Sequence, residues 1–141
     1  MKNIVVAIDG SGNLQRAFDH ITELHRKETV RVHLLNVQPP FTRDICRFFS
    51  AAEIRDLHRE EGMQALAPAI RMLEEAGIPH RDHVLVGHKA ETIVSFACDY
   101  RCDQIVLGDP GRAMFAGLGL GSIGSQVRHL ASAARFVCEV V

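Results

Sequence analysis

The sequence lacks a long apolar run, an excess of either charge, and closely spaced cysteines. The longest stretch without a charged side chain, 113–127, has 15 residues and contains several glycines, whereas a membrane-spanning helix needs roughly 20 apolar residues. The 16 basic and 17 acidic residues give a formal net charge of −1, which predicts neither a nucleic-acid partner nor a membrane partner. Because the N-terminus has no signal-peptide pattern, we expect a cytoplasmic protein.

The cysteines and histidines are scattered and predict no metal site. The four cysteines show no CxxC spacing, and a reducing compartment keeps them as thiols. Cys98 and Cys102 are expected to be small buried side chains, while the reactivity of Cys46 is left open. His80 and His83 form the only close histidine pair and are expected in a solvated loop.

Short apolar runs alternate with helix-type patterns along the 141 residues. Because the runs have no polar face, they predict a parallel sheet covered by helices on both sides, an α/β fold of three layers. Ser50 and Glu53 have the spacing of a capping box at the start of the second long helix. Strands are predicted at Asn3–Ile8, Val30–Val37, Val84–Val86, Gln104–Leu107 and Phe136–Val141, and helices from Leu14, Ser50, Glu91 and Ser122.

Loops after the first and fourth strands are the candidate ligand site. Open parallel sheets bind ligands beyond the carboxyl ends of strands, where the winding direction reverses. Asp9-Gly10-Ser11 follows the first strand, and Gly108 follows the fourth. If these strands are neighbours, both loops face one crevice. Asp9 could instead cap the next helix, although Ser11 or Asn13 is better spaced for that role.

Six of the eleven glycines lie in the stretch GDPGRAMFAGLGLGSIGSQVRHL, residues 108–130. Glycines before a helix allow an anion to approach its unpaired backbone N–H groups. Ser122 would add a hydroxyl, and Arg112 a positive charge. This pattern favours a phosphate site; the alternatives are a mobile loop with tight turns, and a solvated Arg112.

Two common nucleotide motifs are excluded. Residues 119–124 spell GxGxxG, but no strand runs directly into them, and the sequence ends before the acidic residue that a dinucleotide site needs about 20 positions later. No lysine follows Gly121, which excludes a P-loop NTPase.

The spacing Gly108-x2-Gly111-x9-Gly121-Ser122 resembles the ATP-binding branch of the universal stress protein family, and the order of the other motifs agrees across essentially the whole chain. The resemblance implies a single domain, 1–141, with a five-stranded sheet in the order 3-2-1-4-5. It also implies a bound ATP, or ADP or AMP, with Mg²⁺ or Mn²⁺. A homodimer would form through Val137–Val141.

The resemblance also assigns roles to individual positions. Asp9 and the backbone of Val37 would hold the adenine end, and Ala7 would line the pocket. No catalytic residue and no side-chain metal ligand is assigned. The ribose and the phosphates would contact Leu107, Gly108, Gly111, Gly121, Ser122, Ile123 and Gly124.

Two positions depart from the family pattern. Asp109-Pro110 replaces a small hydroxyl residue and a basic or polar one; Asp109 would either repel phosphates or help to hold a cation. Gly124 stands where many ATP-binding members have a hydroxyl. The preference among ATP, ADP and AMP is therefore open.

Three functions remain after these observations. The favoured one is a dimeric regulatory module that binds an adenine nucleotide and acts on an unidentified protein partner. The second is a slow ATPase of the related α-hydrolase type, although Gly87-His88-Lys89 does not match the HxGH signature of that class. The third is an interaction protein of the branch that binds no nucleotide.

Overall fold

The computed structural model describes residues 1–10, 14–107, 123–133 and 139–140. Strands and helices alternate in this part of the chain, as the sequence predicts. The elements in chain order are β1 (Lys2–Ala7), α1 (Gln15–Lys27), β2 (Val30–Gln38), α2 (Arg43–Cys46), α3 (Ala51–Glu75), β3 (His80–Val86), α4 (Lys89–Asp99), β4 (Gln104–Leu107), α5 (Ile123–Ala133) and β5 (Glu139–Val140).

The strands form one parallel sheet in the order β3-β2-β1-β4-β5. Ile4, in the central strand, pairs with Val32 on one side and with Gln104 on the other. The α/β class and the parallel sheet are confirmed. The fifth strand is described only at Glu139–Val140, which pairs with β4; the rest of the predicted strand Phe136–Val141 lies outside the described residues.

Two apolar clusters lie on opposite faces of the sheet. Successive side chains of a strand point to opposite faces, so Ile4 and Val6 join the cluster that α1 and α3 cover. Val5 joins the cluster that α4 and α5 cover. The two buried faces explain why β1 has no polar alternation.

The start of β1 is tied to the segment before β4. The backbone N–H of Asn3 donates to Asp103 Oδ2 at 2.8 Å, and these residues are 100 positions apart in the sequence. The backbone N–H of Asp103 donates in return to Asn3 O at 2.7 Å.

The predicted capping box opens α3. Ser50 Oγ accepts from the Glu53 N–H at 3.1 Å, and the Glu53 carboxylate accepts from the Ser50 N–H at 3.0 Å. These hydrogen bonds favour the charged carboxylate and lower the pKa of Glu53. Gly77 follows the helix with φ of 69°, the left-handed conformation that ends many helices.

Some sequence predictions are wrong. β3 begins at His80 rather than at Val84, so His80 and His83 lie in a strand and not in a solvated loop. Cys102 is buried as expected, but Cys98 is exposed.

Among the helices of the described residues, none is long and apolar enough to cross a membrane.

Candidate functional site

The carboxyl ends of β1 and β4 lie side by side, as the crevice hypothesis requires. Ala7, the last residue of β1, pairs with Leu107, the last residue of β4. On its other side Ala7 pairs with Leu35 of β2. Strand β1 is therefore where the winding direction reverses, and its carboxyl end is where ligands of such sheets bind.

Four of the predicted site residues contribute to one apolar cluster. Val37 is buried, at 7% exposure, and Ala7, Leu107 and Ile123 are partly buried against the same cluster on the α4 and α5 face. These residues come from three strands and from the start of α5. The fold thus gives the crevice an apolar wall, a surface suited to a flat, weakly polar ring.

Other predicted site residues lie at the rim or outside the described part of the chain. Asp9 is exposed and lies two residues after the end of β1. Gly124 is half-buried in the first turn of α5. The positions outside the described residues are Gly108, Gly111, Arg112, Gly121 and Ser122, together with the cap candidates Ser11 and Asn13.

Gly10 is required where the chain leaves β1. Its φ is 85°, and a Cβ atom there would lie 3.2 Å from Cβ of Ala65 in α3. A side chain would therefore strain the backbone and crowd the helix.

A buried chain of amide hydrogen bonds supports the crevice from the β2 side. Asn36, 2% exposed, donates from Nδ2 to the Ile8 carbonyl at 2.7 Å. The Gln38 side chain donates from Nε2 to Asn36 Oδ1 at 2.6 Å. The backbone carbonyl of Gln38 accepts from the Gly87 N–H at 3.0 Å. The chain joins the ends of three strands, and our sequence reasoning missed it. The available signal was two amide side chains inside a buried apolar strand.

The loop after β2 is anchored by an aromatic stack. The Phe41 ring lies on the imidazole of His58 with centroids 4.1 Å apart and an interplanar angle of 14°. His58 is buried in α3. Beyond this anchor Phe48 is 81% exposed and Phe49 is 41% exposed. Cys46, at the end of α2, is exposed.

A second feature that the sequence did not reveal is a histidine pair between β2 and β3. Nδ1 of His33 lies 3.0 Å from Nε2 of His83, and the ring of Tyr100 packs against both imidazoles. A hydrogen bond between two imidazoles needs one N–H and one lone pair, so at least one facing nitrogen is deprotonated.

Burial and neighbouring charges lower the pKa of both imidazoles. Burial lowers the pKa of His33 to about 4 from 6.5, and the charges of His83, Arg31 and Arg81 act in the same direction. Burial also lowers the pKa of His83; Asp82 opposes this shift, and Arg81 adds to it.

The described residues contain no group of three or more His, Cys, Asp or Glu side chains that could hold a metal ion.

Comparison with known proteins identifies relatives along the whole chain. Residues 1–136 match the Universal stress protein family. A universal stress protein of Methanocaldococcus jannaschii is 31% identical over 132 residues, and the alignment covers 89% of this chain and 75% of the relative.

Solved structures share the fold. The universal stress protein from Archaeoglobus fulgidus in complex with dAMP has a TM-score of 0.66 and 22% identity, with 99% of this chain and 97% of that chain covered. A universal stress protein family protein from Arabidopsis thaliana with AMP bound has a TM-score of 0.64 and 18% identity, with 100% of this chain and 90% of that chain covered.

Proposed function

The chain belongs to the universal stress protein family, and we propose that it binds an adenine nucleotide at the carboxyl ends of β1 and β4. The observation that carries the proposal is the pairing of Ala7 with Leu107, which sets the carboxyl ends of these two strands side by side. The dAMP and AMP of the Archaeoglobus and Arabidopsis relatives support the ligand class.

In this proposal the apolar wall contacts the base and the glycine-rich stretch binds the phosphates. Ala7, Val37 and Ile123 supply the wall, and the carboxylate of Asp9 accepts a hydrogen bond from the nucleoside. Backbone N–H groups at the start of α5 face the phosphates, where the helix dipole favours negative charge. The residues proposed around the ribose and phosphates are Leu107, Gly108, Gly111, Arg112, Gly121, Ser122 and Gly124.

A divalent cation, Mg²⁺ or Mn²⁺, would be held mainly by the phosphates. This follows because the described residues offer no cluster of three ligating side chains. We expect Mn²⁺ to bind measurably only when a nucleotide is present.

We further infer that the chain, as one domain, is a dimeric regulatory module of the cytoplasm and not an efficient enzyme. Among the described strands β5 pairs only with β4, so its other edge is available to the same strand of a second copy through Val137–Val141. Dimer formation would also protect that edge from aggregation. Sedimentation of the protein with and without nucleotide tests this part.

The experiment that tests nucleotide binding is calorimetric titration of AMP, ADP and ATP, each with and without Mg²⁺. Ligand carried over from expression is first removed. We expect micromolar binding of at least one nucleotide, and the ranking will give the preferred number of phosphates. If none binds, the proposal is wrong, and the protein acts through its surfaces alone.

Two substitutions locate the site. Gly121→Val should abolish binding without loss of the fold, because a side chain there would fill the space of the phosphates. Gly117→Val is the matched control, since Gly117 lies in the same stretch but outside the motif spacing. Gly124→Ser should shift the preference towards ATP by restoring a hydroxyl. Unchanged affinity in Gly121→Val would exclude the assigned phosphate position.

A further inference from the structure

The outer edge of β3 has backbone groups available for pairing. Among the described strands β3 pairs only with β2. The Gly87 N–H donates to the Gln38 carbonyl, and Val86 is the register partner of Gln38. In a parallel ladder every second residue directs its N–H and C=O to the neighbouring strand. Asp82, Val84 and Val86 therefore direct theirs away from the sheet.

A groove runs beside this edge on the α4 face. Helix α4 packs mainly against β2, β4 and α5; it contacts β3 through Phe96 at His83 but leaves Leu85 on the same face exposed. The groove has a volume of about 570 Å³; His83 and Leu85 form its strand side, and Phe96 and Tyr100 are among the residues of its helix side. Leu85 is 37% exposed and Tyr100 is 44% exposed, so the groove presents apolar surface to solvent.

The helix side of the groove is acidic. Glu91, Ser95 and Asp99 line it at intervals of four residues, which places them on one face of α4 with the two carboxylates about 12 Å apart along the axis. Neither carboxylate forms an ion pair with another residue in the described part of the chain. The positively charged residue of β3 that comes closest to the groove along the chain is Arg81, two positions before His83.

We propose that the β3 edge and this groove bind a basic, extended segment of another protein, which adds to the sheet as a strand beside β3. The segment would exchange backbone hydrogen bonds with Asp82, Val84 and Val86. Basic side chains four residues apart in an extended chain are separated by about 13 Å, a spacing that matches Glu91 and Asp99. The methylene stem of the basic side chain beside Asp99 would lie on Tyr100.

A second copy of this chain fits the edge less well. Two β3 strands paired about a two-fold axis would bring two α4 helices to the same side of the joined sheet. Glu91 and Asp99 of each copy would then face the same residues of the other. Juxtaposed like charges disfavour such an interface, whereas a basic segment neutralises them. The proposal does not depend on nucleotide binding.

The test uses two synthetic peptides with blocked ends, Val-Lys-Val-Thr-Val-Lys-Val and the same peptide with Glu in place of Lys. Amide hydrogen exchange of the full chain is followed by NMR. We expect the lysine peptide to slow the exchange of the Asp82, Val84 and Val86 amides, and the glutamate peptide to leave it unchanged. Equal protection by both peptides, or protection elsewhere only, would overturn the proposal.

Matched variants separate charge from backbone pairing. Glu91→Gln with Asp99→Asn should weaken binding of the lysine peptide about twofold to thirtyfold, the range for two exposed ion pairs. Asp56→Asn with Glu60→Gln, two exposed acids of α3, should not. Val86→Pro removes one outward N–H but leaves the Gly87 bond to β2, and proline is tolerated at such edge positions; it should abolish binding, whereas Val86→Thr should retain it.

The same variants exclude the competing occupant. If the protein self-associates in sedimentation and Val86→Pro abolishes that association, the edge joins two copies and the proposal is wrong. If Val86→Pro does not fold, the exchange measurement on the unmodified chain decides. Peptide binding that is insensitive to both the Glu91/Asp99 and the Val86 changes would also contradict it.

Discussion

On one face of the sheet α3 packs across both β2 and β3, whereas on the other face α4 packs over β2 and β4 and leaves β3 partly open. The closed face is aliphatic, and Gly62 lets the α3 backbone approach Val84. The open face has imidazole and aromatic rings at the corresponding level of β3. On the α3 face a small residue, Gly62, allows the helix to approach and cover β3. On the α4 face the polar rings beside β3 stay partly exposed.

The largest expected effect tests whether both faces are equally well packed away from β3. Leu34 and Leu35 are adjacent in β2, at 1% and 0% exposure, and point to opposite faces. Changing either residue to Ala should lower the free energy of unfolding by about 2–5 kcal/mol in urea denaturation. A cost below about 1 kcal/mol for Leu35→Ala would mean that the α4 face is loosely packed throughout. The difference between the two faces would then not be confined to β3.

The next effect concerns the close approach of α3 to β3. A Cβ atom on Gly62 would lie 2.6 Å from Cγ2 of Val84 and closer still to Cγ1. Gly62→Ala should therefore cost about 1–3 kcal/mol. In a Val84→Ala background the two methyl groups are gone and only the Cβ of residue 84 remains, at 3.0 Å, so the same change should cost clearly less, since alanine also favours a helix. Equal costs in both backgrounds would show that Val84 does not limit the approach.

The histidine pair on the α4 face predicts that the stability of the protein depends on pH. The aliphatic contacts of the α3 face add nothing to this dependence. His33 has a folded pKa of about 4 against 6.5 for an ordinary histidine, so the unfolded chain takes up its proton first as the pH falls. Stability from His33 is complete above about pH 6.5 and decreases towards pH 4. Between pH 7 and 4.5 the Tm of the protein should fall a few degrees more than that of His33→Phe.

A suitable control for this measurement is His25→Gln, at an exposed histidine of α1. It should keep the full pH dependence of the unmodified protein. If His33→Phe shows the same fall in Tm as the unmodified chain, the histidine pair is not the source of the dependence.

The smallest expected effect compares the starts of the two helices. Ser50 caps α3 with its side chain, whereas His88 at the start of α4 makes no side-chain cap bond. Ser50→Ala should lower stability by about 1 kcal/mol, and His88→Ser should raise it by up to about the same amount. Urea midpoints give both values, with Ser50→Thr as the conservative control. A loss on His88→Ser would indicate that His88 has another structural role.

The regularly patterned elements could be predicted from the sequence, and the edge strand only in part. β4 has the predicted bounds because three of its four residues, Ile105 to Leu107, form an apolar, strand-type run, and the start of α3 follows from local capping chemistry. The first half of β3 carries His80, Arg81, Asp82 and His83, so neither apolar content nor alternation indicates a strand. Charged residues are usual on edge strands, where they discourage unwanted pairing.

The candidate site shows the same division. The resemblance in motif spacing selected Ala7, Val37, Leu107 and Ile123, and the fold gathers these residues at one cluster. The hydrogen bond from Asn36 to the Ile8 carbonyl could not be predicted, since it joins residues 28 positions apart and depends on the register of two strands. Buried amides in an apolar strand indicate only that some partner exists.

The central position of β1 has a consequence for the order in which the protein can be made. Strand β1 is synthesised before the other described strands, but one of its two neighbours includes residues about 100 positions later. At roughly 5–20 residues per second, translation leaves that side of β1 without its partner for about 5–20 s. During this interval an apolar strand has an open edge, the kind of surface through which incompletely folded chains pair with one another.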